Sequence, residues 1–277
     1  MKLELKKFDP SSIKHEAVCC FIGKRATGKS YCMRDILSYH KNIPIGMVIS
    51  PTEIANKYFE SFVPKMLIHD DYSPQILQKF MDRQKNINAK VNKDKDKNGY
   101  STIDPKAFLI LDDCLYDNSW TKDVNIKSCF MNGRHYQIFF LITMQFPLGI
   151  PPHLRSNIDY IFIFRDNIIK NKQRIYEHYA GMFPSFEIFK TVMDSCTENY
   201  ECLVINNKIQ SNKIEDQVFW YKAEDKNFKM CRSDLWDLQA INDQKLAMRG
   251  DEEEDDEEKY DPNLLIKKKV NITVKKI

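Results

Sequence analysis

Apolar residues along this chain come in short unbroken runs separated by amphipathic stretches. That is the pattern of a largely parallel sheet whose strands are buried on both faces and joined by helices. The runs at 17–22, 45–50, 107–111, 138–143 and 159–164 each have the length of a strand, and a shorter one falls at 66–69. Helical spacing recurs between them at 31–40, 53–62, 123–131 and 171–190, and Ser73-Pro74 supplies a cap and a first-turn proline for a helix running toward Lys85. Two late runs, 200–206 and 217–222, bracket a polar turn and predict a hairpin at the sheet edge, followed by a helix over 228–246. Residues 1–16 form a lead-in with an edge strand at 3–8, and residues 86–104 lose all apolar periodicity and read as a mobile surface insertion.

Chemistry enters between the first strand and the first helix. Gly23, Lys24, Arg25, Ala26, Thr27, Gly28, Lys29 and Ser30 match the phosphate-binding loop G-x-x-x-x-G-K-[ST] at every fixed position. The two glycines allow a tight turn that aims backbone N–H groups at phosphates, beside the positive end of the helix dipole. Lys29 is expected to reach the β- and γ-phosphates of ATP, the Ser30 hydroxyl to take a place on Mg²⁺, and Tyr31 to border the nucleotide. The 107–111 run ends in Asp112 and Asp113, a Walker B pattern at the end of a strand where ligands gather in open parallel sheets. Asp112 is expected to hold Mg²⁺, directly or through water, and Asp113 to polarise the attacking water, although aspartate is one methylene shorter than the glutamate many related ATPases use there. The strand at 138–143 leads to Gln145, a polar amide placed to sense the γ-phosphate or the lytic water.

Composition narrows the setting. At 277 residues the chain can build one large α/β domain with additions, and its eight cysteines include no C-x-x-C pair, which points to a reducing compartment and no zinc. The net charge of +3 divides unevenly, because residues 251–277 carry nine acidic and six basic side chains and leave residues 1–250 at +6. A modestly basic body is compatible with nucleic acid. Lys85, Lys90, Lys93, Lys95 and Lys97 are candidates for tracking a DNA backbone, with Asp94 and Asp96 reducing their field. No apolar run reaches the ~18 residues of a membrane span, so a soluble intracellular protein is expected. The scattered histidines, His40, His69 and His178 among them, share no metal-ligand spacing. The domain plan is therefore a nucleotide-binding domain at 17–222, a helical extension at 223–248 and a disordered acidic and basic tail at 249–277.

The order GKRATGKS, FLILDD, MNGRHY, IFFLITMQ and PPHLRSNIDYIFIF resembles the genome-packaging ATPases of nucleocytoplasmic large DNA viruses, in the FtsK–HerA group of P-loop ATPases. The resemblance covers roughly residues 15–222, and the GRHY and LRSNIDY runs are its most telling parts. It implies an α/β P-loop NTPase with a RecA/ASCE-like, mostly parallel central sheet flanked by helices, the sensor strand lying between the phosphate-loop and Walker B strands, plus the C-terminal β-hairpin. It further implies a virus-encoded homo-oligomeric ring, pentamer or hexamer, that hydrolyses ATP at subunit interfaces and drives double-stranded DNA into a capsid through a capsid or portal-type partner. Its place would be the host cytoplasm, at the virus factory, or the virion. A ring of this kind needs an arginine from the neighbouring subunit: Arg134 is the first candidate, Arg155 the second, and Arg25 an alternative acting in cis. A translocase or helicase of the same superfamily would have the same active site, and a P-loop kinase shares the loop and sheet. A GTP switch would need a base-reading N-K-x-D-like motif, which Phe164-Arg165-Asp166-Asn167 does not supply.

Overall fold

The computed structural model describes residues 3–114 and 118–250. Within them lie nine strands: β1 (Lys6–Lys7), β2 (Val18–Ile22), β3 (Gly46–Ile49), β4 (Ile68–His69), β5 (Ala107–Leu111), β6 (Ile138–Met144), β7 (Tyr160–Ile163), β8 (Glu201–Asn206) and β9 (Val218–Lys222). The helices are α1 (Lys29–Ser38), α2 (Glu53–Asn56), α3 (Pro74–Asn98), α4 (Val124–Asn132), α5 (Pro152–Arg155), α6 (Ile169–Tyr179), α7 (Phe186–Cys196), α8 (Ile214–Gln217) and α9 (Ser233–Gly250). One sheet contains every strand, in the order β1-β9-β8-β7-β2-β6-β5-β3-β4. All its pairings are parallel except those of β8, which runs antiparallel to both β7 and β9. The expected hairpin is thus present, though one strand in from the edge because β1 pairs with β9. The β6 strand expected to carry the sensor separates β2 from the Walker B strand β5, as the resemblance implied.

The unbroken apolar runs are explained by burial on both faces. Cys20, Ile22, Leu109, Phe140 and Ile161 face a layer with α3, α4, α6 and α7, whereas Cys19, Phe21, Phe108, Phe139 and Phe162 face α1 and the 59–63 segment. Adjacent Cys19 and Cys20 therefore point into different layers, as strand alternation requires. Each fully buried residue of this size contributes roughly 1.5–3 kcal/mol through removal from water. Gly46 is demanded by packing, since a Cβ there would lie 2.4 Å from the Phe108 ring.

Three expected elements differ from those observed. The helix entered at Ser73 does not end near Lys85 but continues to Asn98, so the stretch expected as a loop over 86–104 is helical for most of its length. Its inward positions pass from Leu77, Phe80 and Met81 to Gln84 and then Val91, all buried. Gln84 Nε2 donates to the carbonyls of Pro105 and Tyr136, both at 2.9 Å, and Asn88 Nδ2 donates to the Gln84 carbonyl at 2.8 Å. Polar side chains satisfied inside the core thus interrupt the apolar stripe without interrupting the helix, which Gly99 closes at φ 80°. The single helix expected over 53–62 breaks at Lys57, φ 47°, because the buried Glu53 carboxylate accepts the N–H groups of Tyr58, Phe59 and Glu60. The helix expected over 171–190 is two: α6 ends before Gly181, and Ser185 caps α7 through the Ile188 N–H.

The chain separates into two compact units, Met1–Trp236 and Asp237–Ile277. The sheet belongs to the first; of the second, the described part is the remainder of α9. The tail expected at 249–277 lies, from residue 251, outside the described residues. No helix among the described residues is long and apolar enough to cross a membrane.

Candidate active site

Strand register brings the two sequence motifs and the sensor amide to one rim. Ile22 pairs with Met144 and Leu111 with Ile142, so the residues that follow β2, β5 and β6 emerge side by side. The Gly23 N–H donates to the Met144 carbonyl at 3.0 Å, and the Asp112 N–H to that of Ile49 at 2.9 Å. The phosphate loop leaves β2 there and ends at Gly28, which caps α1 at φ 93° with no side-chain hydrogen bond. The first turn of α1 therefore takes no side-chain cap from Gly28, and a helix start of this kind suits an anion. Gly23 is held by space, since a Cβ there would stand 2.6 Å from Phe164 Cβ and 2.8 Å from Thr27 Oγ1.

Within the loop, the Thr27 hydroxyl and the Lys29 ammonium donate to the Lys24 carbonyl, at 2.8 and 2.7 Å. The Lys24 ammonium in turn lies 3.2 Å from Asp166 at the end of β7. Lys29 is buried; burial lowers its pKa, while Asp113 and Asp112 pull it upward. Arg25 and Ala26 form the exposed crest of the loop, and Ala26 is left-handed at φ 58°.

Asp112 is 6% exposed and is met by hydroxyls. Thr143 Oγ1 donates to its Oδ1 at 2.9 Å, Ser50 Oγ to Oδ2 at 3.3 Å, and Ser30 Oγ to Oδ1 at 3.4 Å. Burial pushes its carboxyl above the ordinary 3.8; the Thr143 bond opposes this, and the Asp113 charge adds to it. A buried carboxylate and a serine hydroxyl at this spacing suit a hard cation such as Mg²⁺, which takes few protein ligands and fills its remaining positions with water and substrate phosphate. No cluster of three or more His, Cys, Asp or Glu able to hold a metal occurs among the described residues.

Asp113 turns left-handed at φ 53°, and its N–H donates to Thr143 Oγ1 at 2.9 Å. Gln145 Nε2 donates to both Asp113 carboxylate oxygens at 2.6 Å. The Gln145 amide thus grips the Asp113 carboxylate, a pairing that strand lengths alone did not foretell. Local strain at a residue of this kind is common where geometry serves chemistry.

The other two candidate arginines lie away from the loop. Arg134 precedes β6 and so sits at the opposite rim, where its Nη2 donates to Asp159 Oδ1 at 2.6 Å with 55% of the side chain exposed. Arg155 closes α5 and stacks over Tyr179, 5.5 Å from the ring centroid, and the Tyr179 hydroxyl donates to the Pro147 carbonyl just beyond Gln145. Lys85, Lys90, Lys93, Lys95 and Lys97 are exposed along α3. Sequence reading also missed Asn199 and Tyr200, which face the phosphate loop from the turn before β8. Their only local signal is a tyrosine in a polar turn; the approach to Gly28 follows from β8 folding back beside β7.

No family model matches the chain. Protein L437 of Acanthamoeba polyphaga mimivirus is 41% identical over 238 residues, covering 86% of this chain and 83% of that protein. Protein 075L of Invertebrate iridescent virus 6 is 38% identical over 204 residues, 73% of this chain and 75% of that one. The chain belongs to a protein family of nucleocytoplasmic large DNA viruses. Among solved structures, the family's fold resembles the genome packaging NTPase B204 from Sulfolobus turreted icosahedral virus 2 in complex with ATP-gammaS. The TM-score is 0.51 at 17% identity, over 76% of this chain and 99% of that one. EssC (ATPases 2 and 3) from Geobacillus thermodenitrificans gives a TM-score of 0.51 at 12% identity, over 83% of this chain and 44% of that one. At these identities the likeness is one of fold, that of the P-loop NTPases.

Proposed function

We propose that this chain is an ATP-hydrolysing motor that translocates double-stranded viral DNA into the capsid. The observation that carries the reading is the convergence of the phosphate loop, Asp112, Asp113 and Gln145 on one rim of the sheet. A kinase needs an acceptor pocket and no base for water; a carboxylate held in place by an amide beside the phosphate loop favours attack by water.

In this reading the α1 N-terminus and Lys29 bind the phosphates, and Lys29 neutralises charge developing on the γ-phosphate. Ser30 and Asp112 would hold Mg²⁺, which supplies charge neutralisation across the β- and γ-phosphates. Asp113 orients the lytic water and accepts its proton, and Gln145 keeps the carboxylate aimed. The cation that completes the site comes from the neighbouring subunit of a ring. Arg134 fits such a donor because it lies at the rim away from its own phosphate loop, anchored at one nitrogen and otherwise exposed. Arg155, stacked beneath the sensor turn, and Arg25, on the loop crest, are the lesser candidates. The basic outer face of α3 would follow duplex backbone without reading bases. A capsid or portal-type partner and action in the host cytoplasm or virion complete the proposal.

The test is the ATP hydrolysis rate of the purified full chain with and without long double-stranded DNA across a salt series, with Lys29→Ala as the blank. Stimulation that fades as salt rises is expected, together with no strand separation in an unwinding assay. Hydrolysis indifferent to DNA would contradict a backbone-tracking motor, and unwinding would turn the reading toward a helicase.

A further inference from the structure

A cleft of 800 Å³ opens beside the phosphate loop, lined by Gly28, Tyr31, Asn199, Tyr200, Lys222 and Ala223 among others. Its position in the sheet gives it a direction. Asp112, Asp113 and Gln145 follow β5 and β6, on one side of β2, whereas β7, β8 and β9 lie on the other. Because β8 runs antiparallel to its neighbours, its first residue, Glu201, pairs with the last of β9, Lys222, at the same rim as the phosphate loop. A nucleoside triphosphate with its terminal phosphate toward Asp113 therefore sends its base toward Tyr200.

The turn that carries Tyr200 is built unusually. The Glu201 N–H donates to the Glu198 carbonyl at 2.8 Å, and the two residues between, Asn199 and Tyr200, are both left-handed, φ 50° and 64°. Asparagine adopts this conformation readily; an aromatic residue rarely does. The outcome is a tyrosine ring, with the residue 72% exposed, standing so close to the loop that a Cβ on Gly28 would lie 3.6 Å from its Cδ1. Tyr31, 40% exposed, lines the same cleft from the first turn of α1.

We propose that this cleft is the nucleobase subsite and that Tyr200 stacks on the base of the bound nucleotide. The inference rests on the nucleotide-site reading above and adds the residues that hold the other end of the ligand. Stacking on an aromatic face is favourable for any base, and its loss by alanine substitution weakens binding by roughly 5- to 150-fold.

The experiment is calorimetric titration of the full chain, in Mg²⁺, with ADP and separately with inorganic pyrophosphate, which shares the phosphates and lacks the base. Tyr200→Ala is expected to weaken ADP by roughly 5- to 150-fold while pyrophosphate affinity stays within about twofold, and Tyr200→Phe is expected to bind ADP as the wild type does. ADP affinity unchanged in Tyr200→Ala, or ADP and pyrophosphate weakened alike, would overturn the proposal; the second result would make the ring a brace for Gly28. Wild-type protein that binds neither ligand would overturn the nucleotide site itself, a result distinguishable from pyrophosphate binding with ADP indifferent to Tyr200.

Discussion

Each rim of the central sheet holds a buried aspartate, and the two are treated in opposite ways. Asp159, 3% exposed, is saturated by protein: one oxygen takes the Val18 N–H at 2.9 Å, and the other meets Arg134 at 2.6 Å and Lys208 at 4.0 Å. Asp112, 6% exposed, is met by three hydroxyls and has Lys29 only as a nearby charge. A buried carboxylate with a cation already in place ties elements together; one given only hydroxyls retains capacity for a cation from outside. The first rim thus holds Arg134, and the second keeps its carboxylate open to the metal-bound phosphate of the proposed reading.

Lys29→Ala breaks the second rim most completely: hydrolysis should fall to background while the thermal melt shows a retained fold, and normal turnover would contradict the site. Asp113→Asn keeps the shape and one of the two hydrogen bonds from Gln145 but removes the base. Turnover should drop by about 10²–10⁴-fold, with ADP affinity unchanged by calorimetry. At the first rim, Asp159→Asn leaves a donor facing donors and should cost about 1–3 kcal/mol in denaturant unfolding, again without loss of ADP binding.

The smallest effect is also the most discriminating between the two carboxylates. Burial raises the Asp112 pKa, so the stability associated with that group is fully present below its ordinary 3.8 and is lost as pH rises through the higher folded value. Asp112→Asn should therefore match or exceed the wild type in melting temperature without Mg²⁺, with a difference that widens as pH rises from about 4. A melting temperature lower than wild type at neutral pH would mean that Asp112 is a structural group like Asp159.

Much of this contrast is legible in the chain. Gly23 to Ser30 and the 107–113 run are fixed by spacing and by strand-length apolar runs, and both keep their expected places. Where local pattern failed, tertiary partners had replaced it: Gln84 and Asn88 stand where apolar residues would have announced the rest of α3, and Glu53 caps the turn that splits its own helix. The Asp113–Gln145 contact and the approach of Tyr200 to Gly28 depend on strand order and register, which no single segment encodes. Arg134 could be singled out by its position before the sensor strand, but not its pairing with Asp159, 25 residues away in the chain.

That pairing leads to the most direct test of the proposed ring, in which one subunit's first rim would complete the next subunit's second. Lys29→Ala and Arg134→Ala proteins are each measured for ATP turnover alone and then mixed. Each alone should be inactive, with ADP binding retained in Arg134→Ala and a loss of about 10³–10⁵-fold in its turnover. The mixture should recover turnover, because an intact Arg134 on the Lys29 variant can serve an intact phosphate loop on its neighbour. A mixture as inactive as its parts, or an Arg134→Ala protein that turns over ATP at the wild-type rate, would contradict the account.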